Sequence, residues 1–572
     1  MRRKQHNMKL RLIVFFILVS LLPRQRIMAE NVVEIKYSST ARTQIKMSNT
    51  RYIILCVVNL YGKTLTMPEG CTLEFSEGGQ ITNGLLTGDH TKIEGKTKGI
   101  FYRTHISGTF DVPTISTNMF SDAIYENTLK NVMALACSDV QNTVTIEALP
   151  DGEVYEVSTS EGYNIIHVPS NTDVIIDGTV QLAPNNEESY SIFHCDNVEN
   201  VSFSGNGCII GDRTTHIGTS GEWGMGINIV GSRNIHITGL TISDCWGDCI
   251  YVGRGSNKKE SSDVTIDHCL LTGSRRQGIS VVACYGSLME DLEIRDIHGT
   301  DPQAAIDIEP NSGDTCTGAW IKNVCARNCY HGIISTTPGD AISKITDIHI
   351  ENCDIESEVL GLSASNCDLF DVKDTHVLTE YSGLRTHIST VRLDNCYFGP
   401  YEGKELESDI IVLWDVFLDV RNSEFHGNKF IDNPKATPAS KRMIIAGNQI
   451  YCPVELKIQA SQIIGNTVYS QQTPIMSLIL GEANAITDNT LIYTGEDHPT
   501  NLLEVKTDNN TIENNTFVYQ PTCIPRLHSA APDLRFGTDV YTLDGRLYQH
   551  GSALSRLPHG SYIVGNRKVV VR

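Results

Sequence analysis

One short pattern recurs at near-constant spacing, and it limits the chain to very few architectures. Its copies are Gly226-Ile227-Asn228-Ile229, Cys249-Ile250-Tyr251-Val252, Gly278-Ile279-Ser280-Val281, Ala305-Ile306-Asp307-Ile308 and Gly332-Ile333-Ile334-Ser335. The leading isoleucines fall 23, 29, 27 and 27 residues apart. Each copy is a small or turning residue followed by apolar–any–apolar, the alternation of a half-buried strand. A single strand repeated at roughly 20–50 residues cannot bury its own apolar face, so copies must stack on one another. The spacing therefore predicts a parallel β-solenoid.

A second series marks the bends. Asn or Asp recurs between two short apolar strands, as in Asn234-Ile-His-Ile-Thr-Gly-Leu-Thr-Ile242, Asp263-Val-Thr-Ile-Asp-His-Cys-Leu-Leu271 and Val391-Arg-Leu-Asp-Asn-Cys-Tyr-Phe398. Later copies run to Ile512-Glu-Asn-Asn-Thr-Phe517. Such residues tolerate left-handed turns and can hydrogen-bond along a stack. Bend positions 240, 269, 292, 324 and 353 give circuits of 29, 23, 32 and 29 residues, and three of these exceed every later one. Long circuits carry protruding loops, and loops on a rigid scaffold tend to carry function.

A formal charge of −21 argues against a nucleic-acid partner. Residues 1–29 read as a signal peptide: Arg2, Arg3, Lys4, Lys9 and Arg11 precede the apolar run Leu12–Leu22, and Ala29 fits the last residue before cleavage. No later stretch reaches transmembrane length. The chain is expected to be exported, to the periplasm, cell surface or medium, and to act as a monomer. Seventeen cysteines in an exported chain would suit a disulfide framework. Cys269, Cys353 and Cys396, however, share one repeat position, so stacked interior thiols are expected instead.

Residues 30–60 read as strands, and 30–117 as a β-rich coil or lid. Residues 118–138 change period: Met119, Phe120, Ile124, Leu129, Val132, Met133 and Ala136 recur mostly at helical spacing behind Ser116-Thr117-Asn118. The stretch 118–520 is taken as a β-helix with this helix as its cap. Residues 521–535 hold Pro521, Pro525 and Pro532 and read as a linker, and 536–572 as a small β tail.

The helix, followed by Thr143-Val-Thr-Ile-Glu-Ala-Leu-Pro150-Asp-Gly152, resembles the entry to the pectate-lyase-like right-handed parallel β-helix superfamily, which holds polysaccharide lyases and polygalacturonase-like hydrolases. The fold class expected is all-β, a right-handed parallel β-helix, a handedness that the general crossover rule also favours. The segments Asp539-Val-Tyr-Thr-Leu-Asp-Gly-Arg546, Leu557-Pro-His-Gly560-Ser-Tyr-Ile-Val564 and Arg567-Lys-Val-Val-Val-Arg572 resemble the C-terminal sorting tails of secreted bacterial proteins.

Stacking at the strand spacing puts Tyr251, Ser280 and Asp307 in one outward column, with Asp248, Arg275, Arg276 and Glu309 beside it. The hydrolases of this resemblance carry Asn-Thr-Asp, Asp-Asp-Cys and Gly-His-Gly on consecutive coils. Here Met225, Gly247 and Gln277 replace two acids and the histidine, and only Asp248 of the three acids survives. The expected activity is therefore a polysaccharide lyase, cleaving an acidic, uronate-containing polymer such as a glycosaminoglycan or pectin by β-elimination. Arg276, Arg275 and Tyr251 are its candidate catalytic groups. Trp223, Trp246, Gln277 and His331 would bind sugar, and Asp248, Asp307 and Glu309 could hold Ca²⁺ through oxygens. A glycoside hydrolase using Asp248 with Asp307 or Glu309, and a non-catalytic carbohydrate-binding solenoid, are the alternatives.

Overall fold

The computed structural model describes residues 31–121, 128–150, 152–338, 342–433 and 440–520, with four strands between 540 and 571. The expected signal peptide and the 521–535 linker lie outside the described residues, as does 122–127 of the expected helix. The chain divides into two compact units, Met1–Val112 with Asn118–Asp122, and Pro113–Thr117 with Ala123–Arg572.

The first unit is built on a seven-stranded, parallel-paired sheet. One short helix, α1 (Ser38–Gln44), interrupts the stretch read as strand, burying Ala41.

The second unit is a parallel β-helix. Most coils contribute three strands, for example Arg233–Thr238, Thr241–Ser243 and Ile250–Gly253. Among the described residues the first position forms a 16-stranded sheet, and the other two merge into a 24-stranded one. The third position carries the repeat. Its strands are β1 (Ser189–Asp196), β2 (Trp223–Val230), β3 (Ile250–Gly253), β4 (Ile279–Val281), β5 (Ala304–Ile308), β6 (Cys325–Thr336), β7 (Asp354–Ser365), β8 (Ser382–His387) and β9 (Ile411–Trp414). In β6 and β7 the second and third positions run together. Parallel register aligns Ile227, Ile250, Ile279, Ile306, Ile333, Leu362, Leu384 and Ile411 in one column. All eight are 0% exposed. Each fully buried aliphatic chain contributes about 1.5–3 kcal/mol, so the repeat recognised in the sequence is the core of the solenoid.

The bends follow the side-chain chemistry. Asn200, Asn234, Asp263, Asn323, Asn352 and Asn395 all have φ between 52° and 57°. Asn234 donates to Asn200 Oδ1 at 2.8 Å and Asn200 to Asn171 Oδ1 at 2.8 Å, a ladder running from coil to coil. All sixteen cysteines among the described residues are free thiols. Cys269, Cys353 and Cys396 repeat one geometry, each donating to the carbonyl two residues back at 3.1–3.5 Å. The helix expected over 118–138 is shorter where described: α2 is Thr128–Ala134, preceded by a 3₁₀ turn at Thr117–Met119. It buries Leu129, Val132 and Met133 against the first coil of its unit, covering an edge that would otherwise be open. The last residues form a four-stranded antiparallel sheet, with Val540–Thr542 paired to Gly560–Val564 and that strand to Arg567–Val571.

Candidate active site

Between the second and third strands of each coil the chain makes loops, 211–222, 244–249, 273–278 and 298–303, that stack beside β2–β5. The small residue opening each third strand exists because the next coil passes close. A Cβ at Gly226 would lie 2.7 Å from Cys249 O and 2.7 Å from Ile242 Cγ2. A larger residue there would push the loops apart and move the side chains they carry.

Three such side chains link three successive coils. The Gln277 backbone N–H donates to Asp248 Oδ1 at 3.2 Å, and Gln277 Nε2 donates to Asp307 Oδ2 at 3.0 Å. Asp248 and Gln277 are 0% exposed and Asp307 1%. Burial pushes the Asp248 carboxyl up to about 7; Glu222 and Glu309 add to this, while Arg276 and the Gln277 N–H oppose it. Burial, then the Glu309 charge, hold Asp307 well above the usual carboxylate range, against the Gln277 bond and Arg276. Asp248 Oδ2, Gln277 Oε1 and Asn228 Oδ1 are buried without a hydrogen-bond partner. Asn228 precedes Tyr251, Ser280 and Asp307 in the same outward column. Unpaired buried oxygens are costly, and three on adjacent coils mark a place where a polar ligand or water completes the bonding.

Arg276 lies over these acids. Its Nη1 is 3.9 Å from Asp248 Oδ2, and its Nε is 3.8 Å from Glu222 Oε2 and 3.3 Å from Asp301 O. The Tyr251 ring lies across Gly253, where a Cβ would meet its Cε1 at 2.5 Å. Burial, then Asp248 and Asp314, push the Tyr251 phenol up to about 12, so it keeps its proton. Trp223 stands 51% exposed beside Glu222 at the rim.

Behind the acids is a second, fully buried network. Asp212 accepts from the Tyr190 hydroxyl, from Asn185 Nδ2 at 2.8 Å, and from His216 Nδ1 at 2.8 Å. The His216 ring stacks on Trp246 at 3.9 Å and 13°, and the Arg275 guanidinium lies 3.7 Å from the Trp246 ring centroid. Trp246 and Arg275 are the chain neighbours of Gly247-Asp248 and Arg276, so this stack fixes both loops that carry the site.

No family model matches this chain. Over 162 residues it is 37% identical to the SPbeta prophage-derived uncharacterized protein YorA of Bacillus subtilis (strain 168), covering 25% of this chain and 28% of that protein. Over 214 residues it is 34% identical to the uncharacterized protein YclG of the same organism, covering 34% and 36%. The chain thus spans about a third or less of the length of these relatives. Among solved structures, the tailspike protein of E. coli bacteriophage HK620 in complex with pentasaccharide is similar with a TM-score of 0.47 at 14% identity, over 69% of this chain and 74% of that one. The A-module of the Azotobacter vinelandii mannuronan C-5 epimerase AlgE6 gives 0.42 at 11% identity, over 69% and 95%. No chemistry is carried across from matches of this extent.

The sequence-derived residues separate into two groups. Asp248, Gln277, Arg276, Tyr251 and Asp307 come together, with Glu309 exposed at the next turn. Two assignments need correction. Arg275 is bound to Trp246 O at 2.9 Å, to Thr300 Oγ1 at 2.5 Å and to Gly221 O, and is stacked on Trp246, so its guanidinium is taken up in clamping the loops. Trp246 is 8% exposed, covered by His216 and Arg275, with Nε1 donated to Ser220 O at 3.0 Å; it is no sugar platform. His331 lies in register with Ala304, on the strand after Asp307, with Nδ1 buried and unpartnered. Burial holds it at about 4 and therefore neutral. Of the three residues read as Ca²⁺ ligands, Asp248 and Asp307 are tied to one another through Gln277, and no three His, Cys, Asp or Glu among the described residues converge as metal ligands. Sequence reasoning missed Asp212, His216, Tyr190 and Asn185. The four-residue spacing of Asp212 and His216 was their one local signal, and nothing in it told of Trp246 stacking on the imidazole.

Proposed function

We propose that this site cleaves a glycan by acid-assisted hydrolysis. The observation that carries the reading is the buried Asp248–Gln277–Asp307 ladder with its unpartnered oxygens. Glycoside hydrolysis needs one carboxyl that is protonated near neutral pH and a second that is ionised. Asp248, held at about 7, donates its proton to the departing oxygen. Asp307 and Glu309 share the second role. Burial and the nearby Glu309 charge both favour the proton on Asp307, and Glu309, exposed at the next turn, is the carboxyl assigned to activate water. Asp248 and the Asp307 strand are two coils apart, roughly 10 Å at the strand spacing. That suits a pair with a water between them, which inverts the anomeric centre. Arg276 and Tyr251 donate to sugar hydroxyls, and Trp223 offers an apolar face for a ring at the rim.

A second reading, β-elimination from a uronate, is favoured by one observation. Arg276 lies close enough to Tyr251 to oppose the rise of its phenol, as a carboxylate-neutralising cation beside a proton donor would. Placement in the pectate-lyase-like superfamily and export belong to the same proposal; the first rests on the 118–152 segment, the second on residues 1–29 and the tail. Incubation with a panel of neutral and uronate polymers separates the readings. New reducing ends without ultraviolet-absorbing unsaturated uronates support hydrolysis. Unsaturated ends would replace it with elimination, and retained binding with neither product would leave a binding solenoid.

A further inference from the structure

The outward column that holds Tyr251, Ser280 and Asp307 continues beyond the acids as Ile334, Ser363, Arg385 and Val412. Ile334 and Ser363 are each 7% exposed, and Ile334 joins Ala304 and Leu360 in a small apolar cluster on the outside of the coil. Arg385 ends this uncharged floor. It is exposed and, among the described residues, makes no ion pair or side-chain hydrogen bond. Several other arginines on the solenoid are tied to acids, Arg233 to Glu199, Arg327 to Asp354, Arg421 to Asp419 and Arg254 to Asp314, whereas the exposed Arg392 and Arg442, which like Arg385 make no ion pair among the described residues, lie outside this column. In a chain of charge −21, a free guanidinium on the face that carries the acids is a site for an anion. Two strand positions on, His387 pairs in register with Trp414, their rings edge to face at 6.3 Å, which supplies an aromatic wall beside the cation. The Arg385 charge also helps keep His331 neutral, leaving an unpartnered Nδ1 on the approach.

We propose that Arg385, with His387 and Trp414, forms a subsite for an acidic sugar residue, a carboxylate or sulfate ester, three coils from Asp307. At the strand spacing that is about 14 Å along the solenoid axis. The inference rests on the reading of the acid ladder as a glycan site and adds the substrate class: an acidic glycan whose charged unit sits away from the bond that is cut. The acids at the cleavage point, crowded by Glu222 and Glu309, take an uncharged sugar there, and the anion is read at Arg385 instead. Guanidinium matches the two oxygens of a carboxylate or sulfate in a fork that lysine cannot reproduce.

The test is calorimetric binding of size-matched hexasaccharides to the full chain, using a uronate-containing and a sulfated oligomer together with their carboxyl-reduced and desulfated forms. Asp248→Asn supplies a background that does not turn over. The wild-type site binds at least one charged form about tenfold tighter than its neutral counterpart. Arg385→Ala removes that discrimination while leaving the affinity for the neutral form within about twofold, and Arg385→Lys restores only part of it. Equal affinity of the wild type for charged and neutral forms would overturn the subsite, as would unchanged discrimination in Arg385→Ala. Reducing-end release from the same oligomers is scored separately. Discrimination lost in Arg385→Ala with no cleavage of any oligomer supports the subsite and removes the hydrolytic reading.

Discussion

Asp248 is 0% exposed and has no full counter-charge: its nearest cation is Arg276, at 3.9 Å, and both glutamates nearby repel it. Its proton is therefore held more tightly in the folded chain than in the unfolded one. Stability contributed by this group is present at low pH and falls as pH rises from the ordinary 3.8 through about 7. The effect is at most about 4 kcal/mol. Denaturant melts at pH 5 and pH 8 should show the wild type weaker at the higher pH, and Asp248→Asn should reduce that difference, leaving the part that Asp307 contributes. The same proton sets the activity. Rate should fall above about pH 7, and Asp248→Asn should lower it by roughly 10²–10⁴-fold with folding intact. The two neighbouring arginines should part company. Arg276→Ala should lower turnover with little change in melting. Arg275→Ala, which strips three acceptors of their donor, should cost about 2 kcal/mol of stability. Sequence pattern alone cannot make that distinction, because adjacent loop residues point to opposite sides and only the stacked Trp246 reveals which is inward.

At the level of strands and loops, the β3 strand carries its tyrosine flat over its own glycine. Gly253→Ala would place a methyl against the Tyr251 ring at 2.5 Å. The expected result is a displaced phenol, an activity loss of about tenfold, and melting within about 1 kcal/mol of wild type, checked by kinetics and chemical denaturation on one preparation. The 211–222 loop acts differently. Asp212, 0% exposed, gathers Tyr190, Asn185 and His216, and His216 supports Trp246. Asp212→Ala leaves three buried partners unsatisfied and should cost about 3 kcal/mol or more, with turnover falling in proportion to the loosening of the Asp248 and Arg276 loops. The strands themselves were legible from sequence: Ile227, Ile250, Ile279, Ile306 and Ile333 announce the core column because period and spacing are properties of the chain alone. So were the αL bends at Asn and Asp, and the interior thiols. The roles of individual loop residues were not. Whether a tryptophan stands exposed, as Trp223 does, or is packed between two side chains, as Trp246 is, depends on which neighbouring coil covers it.

Across the molecule, the solenoid supplies a straight ruler. Its coils repeat at the strand spacing, so one outward column carries Asn228, Tyr251, Ser280 and Asp307 and goes on to Arg385 with no further design than register. A linear polymer laid along that column meets an acid ladder and then a cation. The described tail strands pair only with one another, so a chain ending after the last solenoid strand, Thr516–Tyr519, should keep the wild-type pH–rate profile. A carboxyl that keeps its proton near neutrality inside the Asp248–Gln277–Asp307 ladder carries the proposed chemistry, and infrared titration of the carboxyl C=O stretch reads that proton with no substrate present. The prediction is a protonated-carboxyl band in the wild type with a component that fades as pH passes about 7, and the loss of that component in Asp248→Asn while the Asp307 contribution stays. A wild-type spectrum with no such band above pH 5, or one unchanged in Asp248→Asn, would contradict it.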